Sequence, residues 1–85
     1  MEDMSVITIQ DFAFDGPTSV KPGATVMVTN EDSSTHSVSS DQAGLFDVDV
    51  DAGGATAHFT APSKPGSYPY HCKFHGDMHG TLVVK

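Results

Sequence analysis

Cys72, His75 and Met78 stand three residues apart in the run Tyr70-His71-Cys72-Lys73-Phe74-His75-Gly76-Asp77-Met78-His79-Gly80. They place one thiolate, one imidazole and one thioether on a single short segment. The thiolate suits Cu(I) and bonds Cu(II) strongly, imidazole serves both oxidation states, and a long thioether contact tunes the potential. Two imidazoles and a thiolate with a weak axial thioether form the donor set of copper sites that carry electrons. Zinc is the inorganic rival, because a Cys/His/His set also binds Zn²⁺ tetrahedrally. Methionine is a poor zinc ligand, and its presence tips the choice to copper.

The segment supplies only one imidazole, so a second must come from elsewhere. His36 opens a β-type run directly after the polar stretch Asn30-Glu31-Asp32-Ser33-Ser34-Thr35, which places it at a loop–sheet junction. His58 falls inside the run Ala57-His58-Phe59, far from the strand ends. His71 faces away from Cys72 if both lie on one strand, since alternate residues share a face. His79 follows the ligand segment and competes with Met78 only by distorting it. His36 is therefore the expected fourth ligand, and His58, His71 and His79 read as surface or packing histidines.

The elements that must position these groups are short and β-rich. Ser5–Gln10, Ala24–Asn30, His36–Ser40, Phe46–Val50, Ala55–Ala61, Ser67–Cys72 and Thr81–Val84 are runs separated by turn residues such as Asp15-Gly16-Pro17, Lys21-Pro22-Gly23 and Gly53-Gly54. Phe46, Val48 and Val50 alternate with Asp47, Asp49 and Asp51, an inside/outside strand pattern. No amphipathic helix stands out. About seven or eight short strands of this kind predict an all-β, antiparallel sandwich or barrel. Tyr68, Tyr70 and Cys72 share one face by period two, so Cys72 points inward if the tyrosines do. Residues 73–78 are then expected to cross the end of the sandwich as a loop, with Gly76 and Gly80 permitting a tight turn.

Length and charge limit the alternatives. Eighty-five residues fit one domain, residues 1–85. The lone cysteine rules out an intramolecular disulfide. Four Lys+Arg against eleven Asp+Glu give a net charge of -7, which leaves no basic patch for a nucleic acid. The acidity favours redox protein partners with a basic docking face and a salt-dependent association rate. It also keeps a small monomer soluble. No stretch of 18 apolar residues is present, and the acidic Met1-Glu2-Asp3-Met4 start has no apolar signal core, which leaves two expectations open, a cytosolic protein or a mature domain whose export or anchor segment was removed.

The segments Pro65-Gly66-Ser67-Tyr68-Pro69-Tyr70-His71-Cys72, the spacing Cys72-x-x-His75-x-x-Met78, and Val28-Thr29-Asn30 followed six residues later by His36 resemble the cupredoxins. The resemblance is greatest to their amicyanin-like/plastocyanin branch. It implies a Greek-key β-sandwich and one type 1 copper ion bound by His36, Cys72, His75 and Met78. It implies that Asn30 ties the two ligand loops together by hydrogen bonds near the Cys72 sulfur. It also implies that His75 lies near the surface, edged by Phe74, as the exit for the electron. The implied role is a diffusing electron carrier in the periplasm or at the outer face of the cell envelope.

Two departures stand out. Family loops carry prolines around the second histidine, where this chain has Phe74 and Gly76, so a less rigid loop is expected. The small hydroxyl residue that usually follows the Cys and pairs with the Asn, here Asn30, is replaced by Lys73, so only its backbone can take that part. Lys73 is also expected to put a positive charge beside the metal. The chain shows no nucleophile–base pair, no His-x-His motif of a multicopper oxidase and no second loop cysteine of a two-copper site, so it does not read as an enzyme. The competing readings are a copper-binding protein that buffers or delivers the ion, and a metal-free interaction domain on the same fold.

Overall fold

A computed structural model describes residues 5–16, 19–42 and 44–85. Met1–Met4, at which the absent signal core was read, and Pro17 of the expected turn lie outside the described residues. Eight strands are present: β1 (Ser5–Gln10), β2 (Ala13–Asp15), β3 (Thr25–Asn30), β4 (His36–Ser40), β5 (Asp47–Val50), β6 (Thr56–Thr60), β7 (Gly66–Cys72) and β8 (His75–Val84). They form two four-stranded sheets, in the orders β2-β1-β3-β6 and β5-β4-β7-β8. No helix occurs among the described residues. The all-β sandwich of about eight strands expected from the sequence is the fold observed.

The strands follow from alternation. Ile7 and Ile9 of β1, Val26 and Val28 of β3, and Val38 of β4 are fully buried, and their neighbours of opposite parity on β1 and β3 are less so. Each such side chain contributes about 1.5–3 kcal/mol by leaving water. Phe46, Val48 and Val50 turn inward, and Asp47, Asp49 and Asp51 face solvent. Phe46 stacks on Phe59 of the other sheet at 4.6 Å, and Phe14 meets Tyr70 edge-on at 4.9 Å. Burial pushes the Tyr70 phenol up to about 12, so it stays neutral.

Three features depart from expectation. The pairing is not wholly antiparallel, because β1 and β3 run parallel, with Ile9 beside Asn30. The crossover between them touches the second sheet on the way, where Val20 bridges Val84 and accepts from Lys85 N. The short strand β2, which no periodic pattern announces, pairs with β1 through Gln10 and Ala13. Finally, β8 begins at His75, six residues earlier than the run Thr81–Val84 suggested.

The early start of β8 gives Gly80 a different reason to be glycine. Neither Gly76 nor Gly80 has left-handed backbone. Gly80 sits opposite Tyr70, and a Cβ there would lie 2.5 Å from the tyrosine ring. The ring lies across the strand where a side chain would otherwise be.

Candidate metal centre

The ligand segment is a hairpin rather than a long loop. Lys73 and Phe74 alone turn the chain between β7 and β8, and His75 pairs directly with Cys72. The register slips between His71 and Cys72, since His71 pairs with His79. Residues 76–78 are thus extra on the β8 side, a bulge that bends the strand. Within it Gly76 and Asp77 are exposed, whereas Met78 is buried in the core. Period two carries Tyr70 and Cys72 inward as expected, with Pro69 exposed on the other face.

His36 begins β4, the strand paired with β7 through Ser39–His71 and Ser40–Tyr70. Its Nδ1 lies 3.6 Å from Cys72 Sγ. One donor atom each from His36, Cys72 and His75 falls within 4.8 Å of the others. His36 is 0% and Cys72 1% exposed, while His75 is half-buried. A metal with M–N near 2.0 Å and M–S near 2.3 Å at tetrahedral to trigonal angles separates its N and S donors by roughly 3.5–3.8 Å. The His36–Cys72 spacing fits, and among the described residues this is the one His/Cys/Asp/Glu group drawn together in this way. The residues present therefore suit a thiophilic ion such as copper.

The other nitrogen of His36 is held by Asp32. Nε2 lies 2.9 Å from Asp32 Oδ2, which fixes the ring with Nδ1 toward the sulfur. The same carboxylate accepts from Asp11 N at 2.7 Å and Phe12 N at 2.9 Å, the two turn residues between β1 and β2. These bonds, led by that from Phe12 N, hold the Asp32 carboxyl below the usual range. The Phe12 ring then meets both imidazoles edge-on, at 5.1 Å for His36 and 4.9 Å for His75. The parallel pairing of β1 and β3 is the cause, because it brings the C-terminal ends of both strands to one end of the sandwich.

The link between the two ligand-bearing segments runs through Ser37. Its Oγ accepts from Lys73 N at 2.9 Å and lies 2.9 Å from Ser39 Oγ. Ser39 Oγ donates to Asp47 Oδ1 at 2.8 Å, which uses its only proton, so Ser37 must donate to Ser39. Lys73 Nζ reaches Asp49 at 2.8 Å and Asp47 at 3.3 Å. The bond to Asp49 is the main reason the ammonium pKa is raised. The expected positive spot beside the site is thus met by two carboxylates. The Lys73 backbone amide pairs with Ser37 and not with Asn30, the partner that the resemblance implied.

Asn30 takes a different part from the one the resemblance implied. Its amide donates to Ser34 O at 2.8 Å and Val50 O at 3.0 Å, and its Oδ1 accepts from Asp32 N. It braces the loop that precedes His36 and joins it to β5, while Ser37 makes the bond across to the Cys72 segment. Phe74, the neighbour of His75 in the chain, is 49% exposed. His58 and His79 are exposed, and His71 Nδ1 pairs with Asp41 at 2.6 Å, so none of the three joins the site.

Sequence reasoning missed Asp32, Phe12 and Ser37. Asp32 had one readable sign, a carboxylate four residues before the candidate histidine. Phe12 had none, since a lone aromatic in a turn carries no period. Ser37 and Ser39 alternate with Val38 but look like ordinary outward residues, whereas all five residues of β4 are buried.

No helix is long and apolar enough to cross a membrane among the described residues. No curated protein sequence matches the chain. Solved structures do. A reduced Cu(I) form of an amicyanin variant at pH 4 superposes with a TM-score of 0.79 at 26% identity, covering 100% of this chain and 85% of that one. An oxidised proline-to-glycine variant of amicyanin gives 0.77 at 29%, covering 94% and 80%. A reduced proline-to-phenylalanine variant gives 0.74 at 27%, again covering 94% and 80%. Residues 4–84 match the cupredoxin-like domain over nearly the full chain. With two sheets of this order and a His36–Cys72–His75 cluster at one end, the protein belongs to the cupredoxin-like family.

Proposed function

We propose that the protein is a blue copper electron carrier that cycles one electron between Cu(I) and Cu(II) and is not an enzyme. His36, Cys72, His75 and Met78 would hold the ion, the Met78 thioether as a weak donor that would tune its potential. The observation that carries this reading is the buried His36–Cys72 contact of 3.6 Å with a half-buried His75 imidazole beside it. The thiolate would bind either oxidation state, and the bound copper would supply the one-electron couple. The residues around it do the rest. Asp32 and Ser37 fix the ligands, the core excludes water from Cys72, and His75 offers the electron a short way out past Phe74 and Phe12.

The amicyanin likeness supports a soluble, monomeric carrier in the periplasm or on the outer face of the envelope, and the net charge of -7 favours redox partners that carry a basic docking face. Copper buffering or delivery is the rival use. Full burial of two donors favours retention of the ion over rapid hand-off.

The test is one equivalent of Cu(II) added to the apo-protein, followed by the visible spectrum. An intense thiolate-to-copper band, lost in Cys72→Ala, and reversible cycling on an electrode are expected. In Met78→Gln copper should stay bound at a lower potential, because a harder donor in place of the thioether favours Cu(II). A pale spectrum with weakly held copper would overturn the proposal.

A further inference from the structure

The turn between β1 and β2 is strained. Gln10 pairs with Ala13, so Asp11 and Phe12 are the two central residues of the hairpin connection. Both are left-handed, with φ of 55° and 58°. Such turns favour Asn-Gly or Asp-Gly, because a Cβ in this region crowds its own backbone. Aspartate is tolerated there, but a bulky phenylalanine is an outlier that the surroundings must enforce. The enforcing group is Asp32, which accepts from both turn amides.

Core burial does not explain the strain, since Phe12 remains 51% exposed. What the conformation achieves is a three-ring cluster. Phe12 meets His36 and His75 at interplanar angles of 85° and 86°, and the imidazoles themselves lie 4.9 Å apart. Asp32 clamps His36 and the turn at the same time.

We propose that Phe12 is a positioning residue, held over the two imidazoles by the strained Asp11–Phe12 turn and the Asp32 clamp, so that His75 keeps its place and water is kept from the donor atoms. This extends the copper reading to the retention of the ion. The turn trades local stability for order at the metal site. That trade separates the idea from a merely structural role, in which relieving the strain and losing the site would not go together.

Phe12→Gly tests it. Glycine accepts the left-handed turn and keeps the amide donated to Asp32, but removes the ring. The apo-protein should unfold at the same or a higher urea concentration than the parent. In its NMR spectrum the His36 and His75 ring protons should lose the ring-current displacement that an edge-on phenylalanine causes, and the His75 signals should broaden or average. The Cu(II)-loaded variant should lose metal to EDTA roughly three- to tenfold faster, the factor that one aromatic contact is worth. Phe12→Tyr should restore both the NMR shifts and the slow loss. Unchanged imidazole shifts, or copper loss at the parental rate, would overturn the proposal, as would a drop in apo stability. The NMR readout needs no metal, so it stands even if the parent binds copper without a blue band.

Discussion

Asp32 Oδ2 lies 2.9 Å from His36 Nε2, while His36 Nδ1 faces Cys72 Sγ at 3.6 Å. The imidazole is therefore oriented before any ion arrives. A carboxylate behind a ligating histidine fixes the tautomer and raises the basicity of the free nitrogen. Asp32→Ala should weaken copper binding by about ten- to a hundredfold, read by competition with a chelator of known affinity. Unchanged affinity would show that the carboxylate serves the β1–β2 turn alone.

Ser37 closes a ring of hydrogen bonds that starts at Lys73 N and returns, through Ser39 and Asp47, to Lys73 Nζ. Ser37→Ala leaves the part-buried Lys73 amide and the buried Ser39 hydroxyl each short of a partner. The expected cost is about 1–3 kcal/mol, measured by urea unfolding of the apo-protein. Loosening of the Cys72–His75 hairpin should also broaden the thiolate–copper band of the loaded protein. A stability loss with no spectral change would mean that the hairpin is rigid without this bond.

Gly80→Ala would drive a Cβ to 2.5 Å from the Tyr70 ring. Overpacking of this kind costs about 1–3 kcal/mol, again by urea unfolding. Tyr70→Leu should relieve part of the clash, so the double variant should lose less than the two single losses combined. Strict additivity would show that the strand shifts to accommodate the methyl.

Asp47 should give a pH signature. The Ser39 hydroxyl, followed by Lys73, holds its carboxyl below the ordinary value of 3.8. A lowered folded pKa means that the charged form stabilises the fold above the unfolded-chain value and that this share is lost as pH falls through the folded value. The stability difference between the parent and Asp47→Asn should thus be constant from pH 7 to about pH 5 and shrink below about pH 4. A gap that is unchanged at pH 3 would refute the assignment.

The amino-acid sequence by itself determined the all-β class, most strand positions and the inward aim of Cys72. These rest on period two and on turn residues, which act over a few neighbours. It also singled out His36 and His75, because donor types and their spacing are chemical facts of the chain. The tertiary structure decided what depends on distant segments meeting. The parallel β1–β3 pairing brings Asp32 to the amides of Asp11 and Phe12. The β7–β8 bulge makes the ligand run a hairpin and buries Met78. The packing of β4 between β5 and β7 turns Ser37 from an apparent surface residue into the link between ligand segments. Such contacts arise from strand order and register, which local alternation does not encode.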